Sequence, residues 1–331
     1  MNTLKHLYQV VLLTCLCIGC SDLPERPEFS QKVGTEQAPE VSAIDVMSSE
    51  ALMIEATSFS GEPLYRRAVD AVKKGRYELL IGQLNQKDSL TEDEYVTLGG
   101  YYASINQFRD AIDVYSRGLL QIPDSFKLRR FRAHRYISIR ELDKAIVDLN
   151  EALALLEKSS SENEIEYSVN GESHGKYELW IWYHIGLYHY LKADYVKASQ
   201  AYEKSIESVS QDKYLVSITD WLYNSYQKSG DSQAANRALA RISADTKTDK
   251  DHPYYKRVML YKGLVSAEDI FDFDKPANQW TVREMTIAYG VANWYHYQGN
   301  SKAAEKLHKN ILQRQFWSSW AYVATEKEYA K

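Results

Sequence analysis

From Glu92 onward, apolar and small residues return along this chain in blocks of 34. Between Glu92 and Ser125, the residues Tyr95, Leu98, Gly99 and Tyr102 fall three or four apart, on one face of a helix. Asn106 interrupts the pattern as a turn residue, and Phe108, Ala111, Tyr115 and Gly118 resume it on a second helix. Pro123 closes the block, because proline cannot continue a helix interior. Phe126 to Ser159 repeats the sense of the pattern with Ala133, Tyr136, Leu142, Ala145, Leu149 and Ala152. Further blocks start at Leu179 (Trp182, Ile185, Gly186, Tyr195, Ala198, Tyr202), Val216 (Leu222, Tyr226, Gly230, Ala235, Leu239) and Met285 (Val291, Ala292, Tyr295, Gly299, Ala304, Ile311). A weaker one precedes them, with Leu64, Ala68, Ala71, Gly75 and Tyr77. Five helix pairs in near-register predict a stack in which each pair buries its apolar face against the next.

Two stretches depart from the repeat. Residues 157–178 are polar and rich in Ser and Glu, and predict a long loop inserted between the second and third blocks. Residues 244–279 predict one helix, Tyr254 to Lys262, and a short second one near Ala267–Phe271, a degenerate pair. Phe316 to Ala330 predicts a last helix covering the exposed end of the stack. Upstream, residues 21–62 hold Pro24, Pro27 and Pro39 among many Ser, Glu and Thr, which predicts a flexible tether with a short helical turn around Ala51–Ile54. A coil of that length spans about 35 Å root-mean-square. Composition agrees with long helices: there are 26 Tyr, but only 15 Gly and 7 Pro in 331 residues.

The block from Glu92 to Ser125 resembles the tetratricopeptide repeat, W-x2-L-G-x2-Y…A-x3-F…P, with Tyr95 in the Trp place. The resemblance covers residues 63 to 315. It implies an all-α fold, a right-handed α-solenoid of five to six helix pairs with a C-terminal capping helix, occupying residues 63–331. It also implies a concave groove, lined by the first helix of each pair, that binds extended or helical peptides.

The chain opens with Lys5 and His6, then an apolar run from Leu7 to Ile18, then Gly19, Cys20 and Ser21. The run has the length and basic start of a secretory signal and is too short to span a bilayer. A cysteine directly after a small residue at its end resembles the bacterial lipobox. That resemblance implies a signal peptide over 1–19, acyl chains such as palmitate on Cys20, and sorting to the outer membrane. The alternative is an ordinary cleaved signal peptide that happens to contain cysteines. All three cysteines (Cys15, Cys17, Cys20) lie in this segment, so the rest of the chain supports no disulfide, thiolate metal site or catalytic thiol.

Net charge is −5, which speaks against a nucleic-acid footprint. The sequence contains no nucleophile elbow, phosphate-binding loop or zinc-protease motif, so neither enzyme nor cofactor is expected. His184 and His189 stand five apart, whereas two metal ligands on one helical face need three or four. Within the basic run of residues 127–135, Arg132 occupies the slot of Leu98 and is expected to pair with Asp148 inside its repeat. Lys127, Arg130 and His134 lie on the other face, and Arg130 and His134, four apart, are freer to bind a ligand. The matching face of the third block carries Trp180, Tyr183, Leu187 and Tyr190, making a helix apolar on both sides, which is buried or sticky. Later blocks place Asn224, and then Tyr289, Asn293, His296 and Tyr297, on that face. Aromatic and Arg side chains over-populate binding hot spots, so these residues are expected to line a groove for a protein or peptide partner. The other expectation is that the 157–178 insertion or the tether folds back over them. Together these features resemble envelope tetratricopeptide lipoproteins, which recruit hydrolases or secretion and pilus machinery. An adaptor facing the periplasm, with no metal and no nucleic acid, is the expected function; a structural subunit using the aromatic face as a permanent interface is the alternative.

Overall fold

A computed structural model describes residues 53–159, 164–167, 173–313 and 316–329. The signal peptide, Cys20 and residues 20–52 of the expected tether lie outside the described residues. Five complete helix pairs follow one another: α2 (Glu92–Ser104) with α3 (Phe108–Gln121), α4 (Phe126–Ser138) with α5 (Leu142–Lys158), α6 (Tyr177–Leu191) with α7 (Tyr195–Glu207), α8 (Asp212–Ser229) with α9 (Ser232–Leu239), and α12 (Val282–Tyr297) with α13 (Ser301–Leu312). The degenerate pair is α10 (Pro253–Tyr261) and the single-turn α11 (Ala267–Ile270), standing between α8 and α12. Helix α1 (Ala71–Asn85) leads the stack and α14 (Trp320–Tyr329) ends the chain. The molecule is an all-α solenoid of tetratricopeptide type.

Local chemistry sets the helix boundaries. Thr91 with Glu94, and Thr281 with Glu284, form capping boxes at the starts of α2 and α12, while Ser125, Asp194 and Asp231 cap α4, α7 and α9. The turn inside each pair passes once through the left-handed region, at Asn106, Arg140, Ala193, Gly230, Gly263 and Gly299. Asn and Gly suit that conformation; Arg140 and Ala193 hold it against the steric preference of a Cβ.

Within a pair the helices meet at a position with no room for a side chain. A Cβ placed on Gly186 would stand 2.7 Å from the Tyr202 ring, and one on Gly99 would collide with Tyr115. Ala111, Ala145, Ala198 and Ala235 take the small slot of the second helices and are fully buried. The close approach is therefore shared by a small residue on each helix, with an aromatic ring filling the space beside it.

Three expectations change. Residues Ile54–Thr57 and Pro63–Tyr65, expected to end the tether and begin the weak repeat, form an antiparallel hairpin, β1 and β2. Buried Ala56, the pairing of Arg66 with Asp110 at 2.9 Å and the Arg109 amide donating to Glu55 at 2.7 Å fix it to the stack, so neither a helical turn at Ile54 nor a flexible segment to residue 62 is present. The weak first repeat reduces to α1 alone. The described residues of the 157–178 insertion are not a plain loop: α5 continues to Lys158, and a second strand pair, β3 (Ile165–Tyr167) and β4 (Ser173–Lys176), leads straight into α6.

Gly186→Ala is expected to destabilise the fold by about 1–3 kcal/mol through overpacking. Gly100→Ala serves as its counterpart, because a Cβ there meets nothing within 4 Å. It is expected to stabilise by about 0.5–1 kcal/mol from helix propensity. Urea unfolding of the two variants beside the parent checks both signs.

Candidate partner-binding groove

The first helices α4, α6, α8 and α12 turn their free faces toward a common axis, and the superhelix is tight enough for distant repeats to touch across it. Tyr190 on α6 and Tyr289 on α12, 99 residues apart, share a hydrogen bond of 2.8 Å between their hydroxyls. Asn224 on α8 donates to the Asp220 carbonyl at 2.8 Å and accepts from the Tyr297 hydroxyl at 3.0 Å. Below them, Arg257 on α10 pairs with the buried Asp220 at 2.6 Å. Gly290 leaves the space through which the Arg257 side chain passes.

Along this inner face lies α14. Its Trp320 ring rests on His134 at 5.1 Å, with His184 alongside at 6.2 Å. Glu326 accepts from Arg140 at 2.8 Å, and Glu328 pairs with Lys228 and accepts from the Tyr289 hydroxyl, both at 3.0 Å. Thr325 meets the buried His308 at 3.3 Å. The segment before α14 reaches the first hairpin: Trp317 packs edge-on against Phe108 and donates its indole N–H to the Tyr65 carbonyl at 2.8 Å. The last helix thus fills the concave face as well as covering the end of the stack.

The second hairpin closes the other part of the groove. Trp180 donates to the His174 carbonyl at 2.7 Å, and Tyr214 donates to Ser173 at 3.0 Å. Glu166 on β3 meets the guanidinium of Arg130 at 3.2 Å, with both side chains almost wholly buried. Lys127 is held by Glu92, Asp93 and Glu164. Arg130 and His134, expected to be free for a ligand, are therefore covered, one by the hairpin and the other by Trp320.

The remaining residues expected in the groove do lie on the inner face, but mostly under cover. Trp180, Tyr183, Leu187, Tyr190, Asn224, Tyr289 and Asn293 are buried, Tyr297 is half-buried, and His296 is exposed at the rim. The aromatic face of α6 is consumed inside the chain, which removes the surface on which a permanent subunit interface was expected. Arg132 and Asp148 pair in bidentate geometry with both contacts at 2.7 Å. Sequence reasoning missed Arg140, Lys228, Trp317, Trp320, Glu326 and Glu328. Only Arg140 left a trace, as an arginine in the turn slot that Asn106 fills one repeat earlier.

Burial shapes the charge states here. Desolvation, together with neighbouring Arg130 and Arg135, holds the His134 and His184 imidazoles well below their usual range, so both are neutral. The Nδ1 of His184 faces the Trp180 carbonyl at 2.7 Å and carries the proton, leaving its Nε2 a bare acceptor. That Nε2 and the Nδ1 of His134 are buried without a hydrogen-bond partner, an omission that costs about 1–3 kcal/mol each. Burial also pushes the Tyr190 and Tyr289 hydroxyls up, so both stay protonated, and with Tyr289 donating to Glu328, Tyr190 donates to Tyr289. Among the described residues no group of three or more His, Cys, Asp or Glu is placed to hold a metal ion. Nor is any helix among them long and apolar enough to cross a membrane.

Fold and inner face together define a tetratricopeptide-type solenoid wrapped around its own C-terminal helix. Among solved structures the chain is similar to a tetratricopeptide repeat protein from Parabacteroides merdae, at 15% identity and a TM-score of 0.45, over 73% of this chain and 88% of that one. It is also similar to a putative kinesin light chain with nearly identical TPR-like repeats from Podosopora anserina, at 13% identity and a TM-score of 0.40, over 67% and 92% of the two chains. No protein-family model matches the chain, and no curated protein does.

The histidines set an acid dependence. Burial lowers His174 and His308 to about 4, and lowers His134 and His184 as well. An unfolded histidine titrates near 6.5, so the unfolded chain takes up protons first as pH falls. Their contribution is complete above about pH 6.5 and is lost as pH drops toward 4. Asp220, pushed up to about 7 by burial against the pull of Arg257, and Glu326, also raised by burial, act in the opposite sense but are fewer. Unfolding free energy from urea titrations is expected to fall between pH 7 and 5 by on the order of 2 kcal/mol or more. Three of the four histidines contact α14 or the layer beneath it, so its amides should lose hydrogen-exchange protection before those of α7.

Proposed function

We propose that this protein is a lipid-anchored, non-catalytic scaffold of a Gram-negative cell envelope that holds a protein or peptide partner along its concave face. One observation carries the reading: the inner face of the solenoid accommodates an α-helix, and does so through side chains from four separate repeats. Laying a helix into a groove is a recurring mode of peptide recognition, and the seating of α14 on the inner face supports that mode here. His296, near the end of α12, is the one exposed residue among those expected to line the groove.

Support for the anchor comes from the N-terminal sequence. Several acyl chains on Cys20 would hold the protein to a membrane where one chain would not. The segment between Cys20 and the hairpin at Ile54 would set the solenoid off from the bilayer surface, facing the periplasm.

Cys20→Ala is expected to abolish incorporation of labelled palmitate and to move the protein from the membrane to the soluble fraction; retention of both label and location would refute the anchor. A photo-crosslinking residue at position 296 is expected to give one dominant adduct in cells, identified by mass spectrometry. The scaffold reading fails if the purified protein alone turns over a cell-wall or peptide substrate.

A further inference from the structure

Helix α14 buries Ala321, Val323 and Ala324 in the apolar core shared with the repeats and adds a set of polar anchors to it. Repeats meet through apolar side chains such as Leu128, Leu179 and Val216. Beside its own apolar residues, three polar or aromatic anchors hold α14: Trp320 on His134, Glu326 on Arg140, and Glu328 on Lys228 with Tyr289. These receptors come from three helix pairs, His134 and Arg140 from α4–α5, Lys228 from α8–α9 and Tyr289 from α12–α13, and the cations Arg140 and Lys228 complement the two carboxylates.

The surface beneath is not fully used by its occupant. His134 Nδ1 and His184 Nε2 lie under Trp320 without hydrogen-bond partners. A core assembled for stability alone would fill that layer with apolar groups; here polar capacity is covered and left idle. Arg140 gives a second, independent sign. It holds φ at +70°, where Asn106 and Gly230 serve in other repeats. Its guanidinium then binds Glu326, the Ser138 carbonyl and the Trp317 carbonyl. Backbone strain that persists with a large side chain marks a position kept for what the side chain touches.

We propose that the concave face is a receptor for a helix carrying an aromatic anchor with acidic residues six and eight positions further on, and that α14 is its resident competitor, displaced by a partner helix of that chemistry. The proposal rests on the concave face being the partner site. Being covalently attached, α14 competes at an effective concentration in the millimolar range, so a modest intrinsic affinity keeps the groove closed until a better helix arrives.

The test uses a fluorescein-labelled synthetic peptide with the sequence of residues 316–329, titrated by fluorescence polarisation into the full-length protein. Glu326→Arg with Glu328→Arg sets α14 against Arg140 and Lys228, and this variant is expected to bind the probe at least tenfold more tightly than the parent. A probe with both glutamates replaced by lysine should bind that variant at least tenfold more weakly. Because the double variant could fail to fold, the parent is measured as well. Saturating probe is expected to speed hydrogen exchange across residues 320–329 while α4 and α6 stay protected. Equal probe binding by parent and folded variant overturns the proposal. So does α14 exchange that occurs only together with α4 and α6, with or without probe. Crosslinking from position 296 that yields no partner, beside a probe that binds as expected, would instead count against the partner-site reading alone.

Discussion

In the α2–α3 and α6–α7 pairs two helices cross at a point that admits no side chain on the first helix, and the geometry around the groove follows from such contacts. With Gly186 against Tyr202 and Gly99 against Tyr115, the second helix cannot slide or rotate without collision, so the angle within each of these pairs is fixed. Repetition of one angle curves the stack. The first helices are then forced inward, close enough for α6 and α12 to share a hydrogen bond. A looser crossing would leave an open trough; the tight one leaves a channel about one helix wide, which α14 fills.

Most of this geometry was legible in the residues, because the pattern that encodes it is local. Gly99, Ala111 and Tyr115 reveal a helix pair by spacing alone, and a period of 34 reveals the stack. What covers the inner face was not legible. Trp180 and Tyr183 read equally well as a sticky surface or a buried one, since a doubly apolar helix looks the same in either setting. The contacts that decide it join residues 186 and 252 positions apart, Arg140 with Glu326 and Tyr65 with Trp317, and leave no periodic trace. The hairpins were missed for a related reason: strands of three or four residues are too short to display alternation. Arg130 and His134 resembled an anion site because the carboxylate that satisfies Arg130, Glu166, lies 36 residues away in an insertion read as a loop.

Charge inside the solenoid has a directional character. Arg130 with Glu166, Arg140 with Glu326 and Arg257 with Asp220 each join elements that are not partners within one helix pair. Buried pairs add little net stability over apolar residues of the same size, yet removing one member strands the other. Each therefore acts as a key that accepts one arrangement of hairpin, helix or neighbouring repeat, while the apolar slots of the repeats supply the bulk of the cohesion.

A stack of repeats ordinarily folds piece by piece, since each unit needs only its neighbours. The junction of Trp317 with the first hairpin removes that freedom for the two ends. Trp317 follows the carbonyl it binds by 252 residues. At ribosomal speeds of about 5–20 residues per second, the hairpin is made roughly 13–50 s before its partner exists. Through that interval α14 cannot occupy the groove, which closes only after residues 316–329 have been made. The order of synthesis thus gives each copy one early period in which the inner face is free of α14.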